Sequence, residues 1–412
     1  MSRAEDSTAH TAAARDTRGH GSPLEVLWVA TKLGLTSFGG PIAHLGYFHD
    51  EYVRRRKWLD EQSYADLVAL CQFAPGPTSS KVGFSLGILR AGYLGGLAAW
   101  LGFTLPSAIA LLLFSHGVAA LSGPGGTGLL HGLKLVAVAI VAQAVWGMAR
   151  TLCPDRARAS IAGVAALIVL LSTSALSQLT AILFGALAGA WLCRHSGLVR
   201  AEHAPIKVSR RVGVAALFAF FALLVGLPVL RSLTGAQTIA MMDAFYRSGA
   251  LVFGGGHVVL PLLREAVVAP GWVGDDAFLA GYGAAQAVPG PLFTFAAYLG
   301  AVMQPAPNGV LGGVLGLVSI FLPGLLLHLG TLPFWETFRQ RAGTQAVMRG
   351  INAAVVGLLG AALYTPIWTS AVQEPQDFAV ALVGFILLVA WKAPPVLVVA
   401  VSALGGALLA PR

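Results

Sequence analysis

Charge is scarce in this chain. Only 11% of its 412 residues are Asp, Glu, Lys or Arg, about half the share of an ordinary soluble domain. Too few charges remain to clothe a water-facing surface. Cysteine is scarcer still. Cys71, Cys153 and Cys193 are scattered, with no pair at metal-ligand spacing. Neither a disulfide framework nor a zinc site is expected. There is no G-x-x-x-x-G-K-[ST] loop, no H-E-x-x-H and no nucleophile elbow, so ATP hydrolysis and enzyme chemistry within the chain are not expected. Nothing calls for a cofactor or a resident metal. Residues 1–22 are polar and lack an apolar core ahead of a small-residue cleavage site. They read as a disordered tail rather than a signal peptide.

Apolar residues fill the space left by charge. They make up 56% of the chain, and the mean hydropathy is +0.74. Fifty glycines and 22 prolines accompany them, both commoner in membrane helices than in soluble ones. The expectation is an all-α polytopic membrane protein. The formal charge of +9 falls largely in a few loops between apolar runs, where it encodes topology. It is not a nucleic-acid footprint.

One stretch does not suit an apolar span. Gln72-Phe73-Ala74-Pro75-Gly76-Pro77 places a helix break inside residues 64–89. Proline removes a backbone donor, and the groups freed by a break must be satisfied by protein or a water-filled cavity. The stretch recurs 214 residues later as Gln286-Ala287-Val288-Pro289-Gly290-Pro291. Trp58-Leu59 answers to Trp272-Val273 at the same offset. Phe38-Gly39-Gly40 answers to Phe253-Gly254-Gly255 at 215, and Leu105-Pro106 to Leu322-Pro323 at 217. Two copies of an interrupted apolar segment at matching places point to the binding site of a secondary transporter.

The chain then divides into a tail (1–22), a first repeat (23–193), a basic linker (194–211), a crossover span (212–240) and a second repeat (241–412). The loop Arg54–Lys57, Arg90, the group Arg150–Arg158, the linker and Arg339–Arg349 should face the cytoplasm by the positive-inside rule. The Asp275–Asp276 loop and the Glu374–Asp377 connection should face outside. One arrangement satisfies all of these. The segments around Phe-Gly-Gly and around Pro-Gly-Pro are re-entrant hairpins, and the second repeat is inverted relative to the first.

The helix after Pro77 presents free N–H groups and the positive end of its dipole, which suit an anion. Thr78, Ser79 and Ser80 add hydroxyls, and Lys81 adds a charge. The plainer alternatives are that Thr78 and Ser79 cap the helix and that Lys81 snorkels to water. The second break carries no cation at the matching place. Gln72 and Gln286 either ligate substrate or satisfy carbonyls freed by the breaks. Phe38-Gly39-Gly40-Pro41 and Gly254-Gly255 are glycine-rich turns that could bring backbone N–H groups to an anion or pack helices closely. His44 and His257 lie beside these turns and are candidate proton carriers. Arg247 and Lys32 are charges in apolar surroundings, hence candidates for a charge relay or for the membrane interface. Trp58 and Trp272 read as interfacial anchors.

Taken together, these motifs resemble the chromate ion transporter family in its long, two-domain form. The resemblance rests on Phe38-Gly39-Gly40-Pro41 with Ala43-His44, Trp58-Leu59, Gln72…Pro75-Gly76-Pro77, Gly83 and Gly102-Phe103-Thr104-Leu105-Pro106. In the second half it rests on Phe253-Gly254-Gly255-Gly256, Trp272, Gln286…Pro289-Gly290-Pro291 and Leu322-Pro323. It covers most of residues 25–370. It implies a multi-pass protein of the inner membrane that exports chromate, driven by the proton motive force, and gives chromate resistance. Chromate, protons and membrane lipid are then the partners. The pairing of short, one-domain members leaves a homo-oligomer open. Lys81 stands where the family is expected to carry Gln. The alternative function is a channel or facilitator for another oxyanion such as sulfate.

Overall fold

The computed structural model describes residues 21–38, 40–60, 63–64, 67–68, 70–71, 75–118, 124–172, 177–194, 208–252, 259–334 and 342–409. Among these it is helical, with turns between. The first half contains α1 (Pro23–Thr36), α2 (Gly40–Phe48) with a π-helical turn at His49–Arg55, and α3 (Thr78–Val118). It continues with α4 (Pro124–Leu152), α5 (Arg156–Leu171) and α6 (Ser177–Leu192). α7 (Arg210–Thr234) crosses between halves. The second half contains α8 (Gln237–Ala250), α9 (Val259–Val267), α10 (Asp275–Ala287), a 3₁₀ turn Leu292–Thr294, α11 (Phe295–Val302) and α12 (Gly309–Thr331). Then come α13 (Ala342–Ala362), α14 (Pro375–Val389) and α15 (Pro395–Leu409).

A bilayer leaves backbone groups no solvent partner, so apolar sequence there folds as helix. Local signals set the ends. The Ser22 hydroxyl accepts from the Glu25 amide at 3.1 Å, with Pro23 at the first position of α1. Asp155 caps α5 by accepting from the Arg158 amide at 2.9 Å. Backbone and side-chain hydrogen bonds from Arg158 hold its carboxyl below the usual carboxylate range. Glu374 and Asp377 form a capping box on α14, satisfying two otherwise orphaned donors.

Among the described residues, five helices are long and apolar enough to cross a membrane. The longest, α3, is two helices. Ala91 and Gly92 leave helical geometry, Gly92 with φ +66°, a region only glycine enters freely. The arm 78–90 spans roughly 20 Å and α1 about the same, at ~1.5 Å per residue. Both fall short of the ~30 Å hydrocarbon core. Their ends meet at one level. The Gly21 amide donates to the Arg90 carbonyl at 3.0 Å. Arg90 and Arg56 pair with Glu25 at 3.2 and 3.6 Å, and Arg90 lies 5.3 Å from the Trp58 ring centroid. In the second half Arg264 pairs with Asp275 at 2.9 Å, and the Gln304 amide donates to the Trp272 carbonyl at 2.9 Å. In each half, then, the described ends of short segments are tied together at one level. Exposed Trp28, Leu171, Trp191 and Phe218 belong to the lipid-facing surface of a multi-pass membrane protein.

The halves embrace each other. α6 packs on α13, and the equivalent α15 packs on α4. Gly189 lies against Gly350, and its counterpart Gly406 against Gly132. These reciprocal contacts define a pseudo-two-fold relation. Where α3 and α12 touch, Trp100 meets Phe321 and Leu112 meets Gly313. As one number rises the other falls, so these equivalent helices run antiparallel. The two repeats are inverted.

Candidate substrate site

The two breaks interlock at the centre of the embrace. Gly76 and Gly290 adopt φ of +101° and +100°, a conformation that a side chain disfavours. The Gly76 amide donates to the Val252 carbonyl at 2.7 Å, and the Gly290 amide to the Ser37 carbonyl at 2.9 Å. Each acceptor immediately precedes the other half's Phe-Gly-Gly turn. Each glycine also presses on the other half's long helix, one residue past its internal proline. A Cβ on Gly76 would lie 2.8 Å from the Gly324 Cα, and one on Gly290 would lie 2.8 Å from the Ser107 Oγ. Pro106 and Pro323 sit inside α3 and α12, where each removes a backbone hydrogen bond. Four interruptions therefore meet in one layer.

Polar side chains gather on the first-half side. His44 on α2 is buried, with Nδ1 3.3 Å from the Ser79 Oγ and its ring edge-on to Phe103 at 5.3 Å. Ser79 and Ser80 are buried, and Thr78, half-buried, opens α3. Lys81 is fully buried, and its Nζ donates to the Pro75 carbonyl at 3.1 Å. It does not snorkel to water. It braces a carbonyl freed by the break and places a cation in the first turn of the arm. Ser107 donates to the Thr104 carbonyl at 3.1 Å and Thr294 to the Pro291 carbonyl at 2.8 Å.

Several buried polar atoms here have no hydrogen-bond partner among the described residues. They are Ser37 Oγ, Ser80 Oγ and Thr104 Oγ1. An unsatisfied buried group costs about 1–3 kcal/mol, so these hydroxyls make the layer a candidate place for a polar ligand. Phe38, next to Ser37, is half-buried. It lines a cavity of about 380 Å³ together with Tyr47, Gln143, Leu388 and Lys392.

The remaining candidates sort as follows. Gly40 and Pro41 begin α2. Pro77 and Pro291 are buried, whereas Pro75, Pro289 and Gly290 are half-buried. Gly39, Gln72, Gly254, Gly255 and His257 lie outside the described residues. Arg247 is not brought to the breaks. Its guanidinium pairs with Asp243 at 2.5 Å, beside Arg231 at 3.4 Å. Lys32 pairs with Glu51 at 3.0 Å. The sequence does not single out Ser37, Ser107, Gln143, Ser85 or His328, and Thr104 stands out there only within its Gly102–Pro106 motif. The signal for His328 was an ionisable residue in an otherwise apolar run, with Leu111 at the matching place in the first half.

The family model of the chromate transporters matches residues 24–190 and again residues 239–407. The chain belongs to the chromate transporter family. Its two matched regions coincide with the two interlocked halves. It is 29% identical over 381 residues to the chromate transport protein of Pseudomonas aeruginosa, covering 91% of this chain and 89% of that one. It is 25% identical over 405 residues to a probable chromate transport protein of Synechococcus elongatus, covering 91% and 92%. The chromate transport protein of Cupriavidus metallidurans is 25% identical over 380 residues, with 91% and 90% covered. No solved structure matches the chain. As in other transporters built from inverted repeats, this family member carries its helix breaks at the repeat interface.

Proposed function

We propose that this protein exports chromate across the inner membrane and thereby gives chromate resistance. The observation that carries the reading is the layer of unpartnered buried polar atoms around the interlocked breaks. Chromate is a tetrahedral dianion. It needs several convergent donors, a nearby cation and no acid. The N-terminal turn of α3 offers amides, the hydroxyls of Thr78, Ser79 and Ser80, the His44 imidazole and the Lys81 ammonium. The hydroxyls of Ser37 and Thr104 approach from the facing elements. Gln286 and Gly290 close the layer from the second half, and Gln72, Gly254 and Gly255 are sequence candidates outside the described residues. The names carried by the relatives support chromate as the substrate.

Sidedness follows from charge. Arg54, Arg55, Arg56, Lys57 and Arg90 lie at the level of Glu25 and Trp58, whereas Asp275, Asp276, Glu374 and Asp377 gather at the other end. The first face is cytoplasmic and the second external. The domain division is a tail 1–22, repeats 23–193 and 241–412, and between them the linker 194–211 and crossover 212–240. An inside-negative potential drives a dianion outward by ~4.6 kcal/mol per 100 mV, twice the figure for one charge. The electrical part of the proton motive force therefore favours export.

The test is chromate flux in everted vesicles, with membrane potential and pH gradient imposed separately. Saturable uptake, faster with an interior-positive potential, is the expected result. Flux that follows the membrane potential but ignores the pH gradient at fixed potential would refute proton-coupled export and favour a passive oxyanion channel.

A further inference from the structure

The repeat contains its own comparison. His328 in α12 is fully buried, with Nε2 2.6 Å from the Ser85 Oγ and 3.8 Å from the Cys71 Sγ. Lys81, one helical turn before Ser85, is fully buried and interacts electrostatically with both His328 and Cys71. The other half places Leu111, Leu299, Ala285 and Phe295 at the positions matching His328, Ser85, Cys71 and Lys81. All four are buried, and α11 packs on α3 as the arm 78–90 packs on α12. The fold therefore builds this layer from apolar side chains. It does not need a lysine, a histidine, a serine and a thiol there. Burying unpaired polar groups is unfavourable, and His328 Nδ1 has no partner among the described residues.

We propose that His328, beside Lys81, is a proton-binding site that sets the anion affinity of the neighbouring break. This rests on the transport reading above. The cluster reaches the break directly, because the Lys81 Nζ donates to the Pro75 carbonyl. A proton on His328 puts a second positive charge into a dry layer, where charges interact far more strongly than in water. A dianion at the break offsets that charge. By linkage, protonation tightens anion binding and anion binding retains the proton, each by the same factor.

The other groups facing α12 do not compete for this role. On α8, the Tyr246 hydroxyl donates to the Phe220 carbonyl at 3.0 Å, and Asp243 is held by Arg247 and by Arg231 of α7. On α11, the Tyr298 hydroxyl donates to the Ala277 carbonyl. From α3 and the preceding segment come only Lys81, Ser85 and Cys71, already named, among the described residues.

The experiment is chromate exchange in proteoliposomes of the full chain, at equal pH on both faces, from about pH 4 to 8.5, a range that reaches below ordinary histidine titration because burial beside a cation disfavours a second positive charge. Half-saturation is compared between the parent, His328→Gln and His328→Leu. Gln keeps a hydrogen bond to Ser85 without titrating, and Leu copies the first half. Substrate protonation is common to all three and cancels in the ratio. The expected result is that the parent's half-saturation rises about tenfold more than either variant's across the range, a change worth ~1.4 kcal/mol. Variant profiles that track the parent within twofold overturn the proposal while leaving transport intact. A parent that exchanges no chromate overturns the transport reading, and the proposal with it.

Discussion

Replacing Gly76 with alanine adds one methyl group and tests the interlock at its tightest point. Two penalties combine. At φ +101° a side chain is held in a sparsely populated region, at about 1–3 kcal/mol. The new Cβ would also stand 2.8 Å from the Gly324 Cα, where real contacts do not occur. The obstacle is backbone, not a side-chain tip that can swing away, so α12 must move. Overpacking of this kind adds about 1–3 kcal/mol. The sum, roughly 2–6 kcal/mol, falls on the contact that joins the halves. Gly83 serves as the control on the same arm. A Cβ there would meet only the Phe48 ring at 3.5 Å, ordinary contact, and alanine favours helix by about 0.5–1 kcal/mol. Gly76→Ala should lose chromate flux in vesicles and melt earlier in detergent. Gly83→Ala should keep both. Parental flux and melting for Gly76→Ala would show that the two breaks are not pressed together as described.

Gly290→Ala should lose transport as well, because its Cβ would crowd the Ser107 Oγ and the Phe103 carbonyl; retained flux would limit the site to the first break. Lys81→Gln should weaken apparent chromate affinity by roughly ten- to a hundredfold, the worth of a charge-assisted hydrogen bond of about 1.5–3 kcal/mol. Lys81→Glu should be worse, and equal affinity in both would remove Lys81 from the site. Glu51 is pushed up by burial, but hydrogen bonds from Arg56 and Lys32 outweigh this and leave it below the usual carboxylate range. Its contribution to stability is therefore present above the unfolded value of about 4.3 and lost as pH falls through the lower folded value. Glu51→Gln should flatten that acid limb in a melting series. Cysteines at positions 55 and 275, with Cys71, Cys153 and Cys193 replaced, should label from opposite faces of the membrane; labelling from one face would refute the assigned topology.

The breaks were legible because proline and glycine make statements about backbone, and a repeat at constant offset turns two weak statements into one strong one. Inversion was legible from where arginine clusters fall. The exchange of hydrogen bonds between Gly76 and Val252, and between Gly290 and Ser37, was not. No local signal says which distant carbonyl a freed amide will take. Apolar surroundings make Arg247 stand out as a membrane charge, although Asp243 stands four residues earlier, the spacing at which helix side chains meet. His328 escaped because each half was read for what it shares with the other. Its counterpart is Leu111, and an asymmetry appears only on subtraction.

The most direct test of the central claim is counterflow of labelled chromate in proteoliposomes of the purified chain, with Gly76→Ala alongside and sulfate as competitor. The account predicts saturable exchange in the parent, its loss in the variant, and chromate preferred over sulfate. Exchange equal in parent and variant, or none in a folded, inserted parent, would contradict it.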